Sequence, residues 1–329
     1  GGGSAGVAGT VSVAMMTGYT TAEVSDQASV NTDFGGAAQQ ARVAAYHHDN
    51  FASGSGGAAV GGSAGLGGAL DTLIESHVTT AQVKNATVQT QGAVKLDAGS
   101  TAEIAQAVIG LGIGGYAGLA GSFGVVLVDN TTQAVADDAD LNSMGGLTVE
   151  ATSSVVTDVA GGAVAASGAA GIGLTGTAAV YDQKTRAWVK NGSNLNAIGT
   201  TYIHADSRTT HHTYAATAAA AGGVGIAGTA NVVVVKGATE VAIGAGVHVN
   251  ADETYDNDFQ DVTVEAADTT TVDNKIGGLG VGLGGVGVGA AADVVLIHNG
   301  VTARVDDGAD IDAGRDIRAW SQGQDFAFL

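Results

Sequence analysis

Residues 277–293 read GGLGVGLGGVGVGAAAD, and in this stretch glycine alternates with single apolar residues. Leu279, Val281 and Leu283 share one parity up to the pair Gly284-Gly285, and the alternation then continues on the other parity. Period-two alternation is typical of a β-strand. A doubled glycine inside it predicts a bulge or bend where the chain changes direction or face. The same device recurs along the chain, so it indicates a structural unit.

Three independent columns of residues repeat with nearly one period of about 54 residues, which is the pattern of a repeat protein. The first is an aliphatic residue followed by a small polar one, at Val30, Val88, Leu141, Leu195, Val249 and Ile311. The second is a small residue that ends a strand, at Ala45, Ala98, Ala151, Ala205, Ala266 and Ser321. The third is the glycine break, at Gly61-Gly62, Gly114-Gly115, Gly168, Gly222-Gly223 and Gly284-Gly285.

These columns predict an all-β chain that forms a parallel β-helix, or β-solenoid, of about six repeats without separate domains. The units run approximately over residues 1–53, 54–108, 109–162, 163–218, 219–276 and 277–329. An extended unit would enclose too wide a perimeter for small side chains to fill. We therefore expect two or three turns of solenoid per unit. The segment 215–221 (AATAAAA) also has helical propensity, which leaves a helix there as an alternative.

The composition fits a chain that consists mostly of hydrogen-bonded strands, and it argues against several classes of function. Of 329 residues, 54 are glycine and none is proline, which would interrupt interior ladders. A net charge of −20 argues against nucleic acid and against anionic membranes as partners. The absence of cysteine excludes disulfides and thiol ligands. The chain opens within a repeat and lacks an initiator Met, so we read it as an internal fragment of a longer protein.

Acidic turns are the strongest candidates for a metal site among the charged residues. They lie at Asp137-Asp138-Ala-Asp140, at residues 306–312 and in the insertion 252–261. Calcium prefers such oxygen ligands. The equivalent turn Asn191-Gly192-Ser193 carries no acid. Solvated turns are therefore the favoured interpretation, with calcium as the alternative, and the sequence predicts neither a metal site nor a cofactor.

The eight histidines form no recognisable ligand set. They are His47, His48, His77, His204, His211, His212, His248 and His298. We expect them at exposed positions near the corners of the coils. Adventitious binding of a transition metal is the alternative interpretation.

Two sequence motifs associated with nucleotide binding and catalysis occur in the chain, but without the structural context that they require. Residues 110–115 fit GxGxxG, and residues 61–65 and 2–6 fit GxSxG, but the repeat accounts for these glycines and no strand-to-helix context follows. The insertion 252–261 is the best non-repeated carboxylate cluster for a polysaccharide-active enzyme, although it lacks nearby Arg or Lys. The uncharged segments 159–180 and 276–292 are predicted to be buried solenoid strands, in preference to membrane helices.

The repeat pattern resembles a known family. Residues 285–297, 302–305, 308–313 and 316–319 carry it, and residues 222–235, 239–243, 246–251 and 261–266 repeat it. This pattern resembles the repeats of the filamentous-haemagglutinin-like exoproteins, which are large adhesins of diderm bacteria. The resemblance implies a right-handed β-helix shaft, secretion by a two-partner or autotransporter route, and a role in adhesion or surface structure. The chain departs from it in being unusually acidic.

The sequence therefore predicts a non-enzymatic, extracellular structural shaft of a cell-surface adhesin. A self-assembling filament or sheath is the first alternative, and a polysaccharide-active β-helix enzyme is the second. The predicted partners are further repeats of the same chain and a host or neighbouring-cell surface, with other copies of the chain as the alternative. No nucleic acid and no membrane insertion of this segment are expected.

Overall fold

The computed structural model describes residues 3–31 and 39–329. Strands make up 82% of the chain, which makes the fold all-β as predicted. A six-stranded sheet contains β3 (Ala41–Gly61), β5 (Val94–Gly114), β7 (Leu147–Ser167), β10 (Thr201–Ala221), β13 (Val262–Gly282) and β16 (Ile317–Phe328). A ten-stranded sheet contains the long strands β1 (Ala5–Val24), β4 (Ala64–Thr90), β6 (Ala117–Ser143), β8 (Ala170–Lys190), β11 (Val224–Ile243) and β14 (Val286–Val305). Its short strands are β2 (Ser29–Val30), β9 (Asn194–Ala197), β12 (His248–Val249) and β15 (Asp310–Ile311).

Every strand pairs in parallel with its counterpart one repeat away. Val94 pairs with Leu147, which pairs with Thr201, which pairs with Val262. The chain alternates between the two sheets, so the coils stack as a parallel β-solenoid, which confirms the predicted fold class.

Each repeat forms one coil, and the expectation of two or three turns per unit was wrong. A strand of about 20 residues crosses the six-stranded sheet, and a second returns through the ten-stranded sheet. The coil is thus flattened into two long facing strands. A flattened coil encloses little volume, so its long perimeter needs no wide core.

The space between the sheets narrows along each coil. At the wide end, Leu96, Leu141, Leu195 and similar side chains are fully buried. The middle holds a second apolar cluster around Leu73 together with buried Ser, Thr, Asn and Gln side chains. At the narrow end the buried cluster consists only of alanines. Side-chain size in the interior therefore decreases from the polar turns towards the opposite bends, which contain the glycine breaks and are called the glycine corners below.

At the narrow end the two backbones come into contact. A Cβ built on Gly112 would overlap the carbonyl oxygen of Leu119, and one on Gly280 would overlap that of Val288. Inward positions at this end are therefore mainly glycine and alanine, and the larger apolar residues of the alternating segments point outwards. Val164 is 46% exposed and Leu174 is 57% exposed although both lie in central coils.

This geometry confirms one prediction for the glycine-rich segments and corrects another. The strand β13 ends at Gly282 and β14 begins at Val286 in the other sheet, so Gly284-Gly285 is a bend as predicted. The segments 159–180 and 276–292 are solenoid strands, but much of their apolar surface is not buried. The reason is that the sheets lie too close together there for side chains to fit between them.

The predicted alternative of a helix at residues 215–221 is wrong, because this segment lies in β10 and its alternate alanines face the interior. The helical structure in the described part of the chain is a single 3₁₀ turn, Glu253–Tyr255. None of the described residues forms a helix long and apolar enough to cross a membrane.

At the wide end, amide side chains bond directly between neighbouring coils. Asn196 donates from Nδ2 to Oδ1 of Asn142 at 2.9 Å, and Asn31 donates to the carbonyl of Gln89 at 2.8 Å. The Oδ1 of Asn250 accepts from the amide of Ala197 at 3.0 Å. Because one repeat is one coil, these asparagines lie in successive coils. Asn196 bonds the side chain of the asparagine below it, whereas Asn31 and Asn250 bond backbone groups of the neighbouring coil.

We expect Gly112→Ala to destabilise the solenoid by roughly 1–3 kcal/mol, because the added methyl group forces the sheets apart where their backbones touch. Gly121→Ala is the matched control. Its Cβ would point outwards, and its nearest neighbour would be the carbonyl oxygen of Leu174 at 4.0 Å. Chemical denaturation measures both. Equal stability of the two variants would contradict the backbone contact.

Candidate functional site

The most extensive candidate site is the outer surface of the ten-stranded sheet next to the glycine corners. Six outward positions on each of the six long strands form this surface, which we call the apolar face. In β6 they are Ala117, Leu119, Gly121, Phe123, Val125 and Leu127, and in β8 they are Ala170, Ile172, Leu174, Gly176, Ala178 and Val180. The register carries the same columns into β1, β4, β11 and β14. Of all these positions only Thr72 is polar.

The apolar face is exposed in the middle of the solenoid as well as at its ends. Leu119 is 40% exposed and Phe123 is 46% exposed, although strands flank them on both sides. A groove of about 770 Å³ crosses all six strands along the column of Gly68, Gly121 and Gly228. The outward glycines form its floor, and the larger apolar side chains form its walls.

The area of the apolar face is large for a surface exposed to water. Six strands about 4.8 Å apart and eleven residues at about 3.3 Å each give roughly 1,000 Å². The largest apolar patch on a typical monomer is about 300–600 Å². A standard protein–protein interface takes about 800 Å² from each partner. The apolar face is therefore suited to binding another flat apolar surface.

Beyond Leu127 the same outer surface becomes charged. Arg304 contacts Glu240 at 3.0 Å, Lys184 contacts Asp182 at 2.9 Å, and the guanidinium of Arg186 lies 4.9 Å from the Trp188 ring centroid. These residues lie in the half of the coil that contains the wide core. The boundary between apolar and charged halves thus runs parallel to the solenoid axis.

Three histidines lie inside the solenoid, which corrects the expectation that they are exposed at corners. His211 is fully buried in mid-strand, with Nδ1 2.7 Å from the hydroxyl of Tyr181 and Nε2 2.6 Å from that of Thr213. Burial lowers the pKa of His211 to about 3, so its imidazole is neutral. His47 and His77 also point inwards. Each of these histidines lies in the middle of its strand at a position whose side chain faces the interior. The columns used to align the repeats lie at corners and turns, so they did not reveal this orientation.

The acidic turns make bonds to neighbouring coils. Asn191 donates to Asp137 and Asn194 donates to Asp140 at 2.6 Å, each one coil away. Arg304 contacts Asp306 at 2.6 Å within a single coil. Within residues 3–31 and 39–329, the one group of three potential ligands whose donor atoms converge lies elsewhere, in the interior. Solvated turns stay the prediction here, with calcium as the alternative.

The insertion 252–261 forms the 3₁₀ turn and a following loop. Asp252 accepts from the amide of Thr254 at 2.9 Å and thus begins the turn. Arg315, from the next coil, donates from Nε to Asp261 at 2.8 Å. The sequence-based statement that the insertion lacks nearby Arg or Lys therefore holds along the chain but not in space. The fold brings Arg315 to Asp261 one coil away.

The glycine motifs lie at corners between two strands. Residues 110–115 end β5 and lead through a bend into β6, and residues 61–65 connect β3 to β4 in the same way. No helix follows either motif, so neither has the setting of a dinucleotide site or a nucleophile elbow. The second GxSxG match begins at Gly2, which lies outside the described residues.

Comparison with protein-family models, curated proteins and solved structures finds no match for this chain. The resemblance to filamentous-haemagglutinin-like exoproteins therefore rests on the repeat pattern of the sequence and stays a prediction.

The interior also contains a buried carboxyl group, Asp268, in β13. It is 3% exposed and accepts hydrogen bonds from Asn299 at 2.9 Å and from Thr239 at 3.3 Å. Burial, reinforced by the carboxylate of Asp325, raises the pKa of Asp268 to about 6. The folded state thus favours the protonated form of this side chain.

We expect Asp268 to make the solenoid less stable as the pH rises from about 4 to about 6. Its pKa is higher in the folded than in the unfolded chain, so ionisation costs the folded state about 2 to 3 kcal/mol over this window. Asp268→Asn should remove this part of the pH dependence in chemical denaturation. Asp206→Asn, which removes an outward-facing charge from the neighbouring strand, is the control and should retain it. An unchanged pH profile in Asp268→Asn would refute the assignment.

Proposed function

We propose that the chain is a structural shaft, a stiff stack of coils in a secreted cell-surface adhesin. The observation that carries this proposal is the parallel ladder, in which nearly every backbone group bonds to the coil before or after it. In such a stack each coil contacts only its neighbours, and load passes along one axis.

The partners in this proposal are further coils of the same kind. Strands β14 and β16 each pair on one side only within the described residues, and their free edges present unpaired backbone groups. Exposed edges of this kind pair readily with another strand. The repeat pattern and its resemblance to bacterial exoproteins support an extracellular location and a role in adhesion, with a host or neighbouring-cell surface as the target.

We expect single-molecule stretching of the chain to show a series of evenly spaced unfolding events. One released coil of about 54 residues adds roughly 190 Å of contour length. The reason is that the interface between two coils is the repeated unit of stability. One cooperative event that releases the whole chain would contradict a shaft of semi-independent coils.

A second candidate function is lateral assembly, which corresponds to the filament or sheath alternative, and the apolar face favours it. The occupant that fits best is the same face of a second copy. Two flat sheets pack face to face at about 10 Å, and a two-fold axis makes one patch complementary to itself. The roughly 1,000 Å² available on each copy exceeds the share of a standard interface.

The distribution of charge is compatible with this pairing. The ion pairs around Arg304, Lys184 and Arg186 lie in the other half of the coil, so they stay in water when two apolar faces meet. The net charge of −20 opposes association at long range. Added salt screens that repulsion and should therefore strengthen the pairing.

We expect the double substitution Leu119→Glu/Leu174→Glu to weaken self-association at least tenfold, because each partner would bury two unpaired carboxylates. Sedimentation velocity over a range of protein and salt concentrations measures the association. Thr101→Glu/Ser154→Glu is the control. It adds the same charge on outward positions of the six-stranded sheet and should leave association unchanged. A chain that stays monomeric at all concentrations, or equal losses in both variants, would reject lateral assembly through this face.

A further inference from the structure

One coil differs from all the others in the chemistry of its interior. Between β3 and β4 the inward side chains include His47, Asp49, Glu75 and His77. His47 and Asp49 come from the six-stranded sheet, and Glu75 and His77 face them from the ten-stranded sheet. Two imidazoles and two carboxylates thus meet in the middle of a single coil.

The donor atoms of three of these residues converge. The Nε2 of His47 lies 2.6 Å from Oδ2 of Asp49, and the Nδ1 of His77 lies 3.4 Å from the same oxygen. All three atoms lie within 4.8 Å of one another. Zinc–ligand bonds of about 2.0–2.1 Å place tetrahedral donors roughly 3.4 Å apart. The His77–Asp49 spacing matches this value, whereas the His47–Asp49 contact is shorter and the two imidazole rings are stacked with centroids 3.0 Å apart. Binding one ion therefore requires the two rings to move apart so that both nitrogens point at it.

These polar atoms lack hydrogen-bond partners, although they are close together. The Nε2 of His47, Oδ2 of Asp49 and Nδ1 of His77 are buried and make no hydrogen bond of acceptable geometry. Glu75 is 1% exposed, and both of its carboxylate oxygens are also buried without a partner. Buried polar groups in proteins are almost always paired. A shared cation would satisfy the three converging atoms of His47, Asp49 and His77 at once.

The repeat supplies an internal comparison, because the register identifies the equivalent positions in every coil. One coil later the four positions hold Ser100, Ala102, Val128 and Asn130. The next coil holds Ser153, Val155, Tyr181 and Gln183, and Ser153 lies within hydrogen-bond distance of Gln183. Most of the equivalent positions are thus neutral, and Asp268 of β13, at the position of His47, is an exception. Charged and imidazole side chains at all four positions are particular to the coil of β3 and β4 among the coils described.

The buried His211 shows what a structural histidine looks like in this fold. Both of its ring nitrogens lie within hydrogen-bond distance of hydroxyl groups, those of Tyr181 and Thr213. The nitrogens of His47 and His77 named above have no such partners. Position 18 in the preceding strand of the ten-stranded sheet is glycine, and any side chain there would overlap the imidazole of His77. The neighbouring coil therefore leaves room for this ring.

We infer that His47, Asp49 and His77 bind a divalent transition-metal ion inside the solenoid, with the carboxylate of Glu75 adding negative charge beside it. Imidazole with carboxylate suits zinc and neighbouring first-row ions, and the chain has no thiol that would favour a softer metal. The ion would join the two sheets of one coil. It would also compensate the carboxylates of Asp49 and Glu75 in this coil.

Zinc binding to the purified full chain tests the inference. After chelator treatment and dialysis, we expect titration with Zn²⁺ to give one tightly bound ion per chain by elemental analysis and calorimetry. Hydrogen exchange in β3 and β4 should slow at least tenfold on binding, while exchange in β11 and β14 stays unchanged. Loss of flexibility confined to this coil is the result that a bound cross-link predicts.

In the variants, each histidine is replaced by the residue at the equivalent position of the next coil, because that residue is compatible with the fold. His47→Ser/His77→Asn should abolish stoichiometric binding and the change in exchange, and its far-ultraviolet circular dichroism should match that of the parent chain. His48→Thr removes the adjacent outward-facing histidine and takes the residue found at Thr101. This control should bind Zn²⁺ as the parent does.

Three outcomes would overturn the site. They are no binding at one equivalent by the parent chain, full binding by the properly folded His47→Ser/His77→Asn variant, and loss of binding in His48→Thr, which would indicate a surface site. Each outcome is independent of whether the chain acts as a shaft or assembles laterally.

Discussion

The contact between the two backbones at the glycine corners is the constraint on which the rest of the structure depends. Where the sheets come closest, as at Gly112 and Leu119, an added inward methyl group would overlap the facing backbone, and elsewhere in this zone small side chains such as alanine fit. Inward positions there must be glycine or alanine, so the apolar residues of each alternating segment point outwards. The wedge-shaped section, the wide aliphatic end and the large apolar outer face all follow from this contact.

Because the coils stack in register, residues at the same position of successive repeats form a column along the solenoid axis. Because each repeat is one coil, residues such as Asn142 and Asn196 lie one above the other and bond directly. A polar side chain in the interior therefore has equivalent neighbours in the adjacent coils, and some of these bond to one another, as Thr177 does to Asn231 at 2.7 Å. Asp268, with its raised pKa, is a side chain whose chemistry differs from that of the equivalent residue in the preceding coil, Ser207.

The features that follow from the repeat length and from residue alternation were predicted correctly from the sequence. The features that depend on the distance between the two sheets were not. The strands, the bend at Gly284-Gly285 and the parallel solenoid follow from alternation and from the three columns. The number of turns per repeat did not follow, because period does not reveal that a coil is flattened. Nor did the outward orientation of Leu174, because alternation identifies two faces without saying which is inside. The buried His47 and His77 were missed because the columns used for alignment mark corners and turns.

Each coil thus has three zones with different capacities. The wide zone is filled by aliphatic side chains, and the narrow zone holds small residues, mainly glycine and alanine. Only in the middle are the sheets far enough apart for side chains to meet, yet free of a continuous aliphatic core. His47, Asp49, Glu75 and His77 lie in this middle zone. In a fold of this shape, interior chemistry is confined to the middle of the coil, and the narrow end contributes only its outer surface.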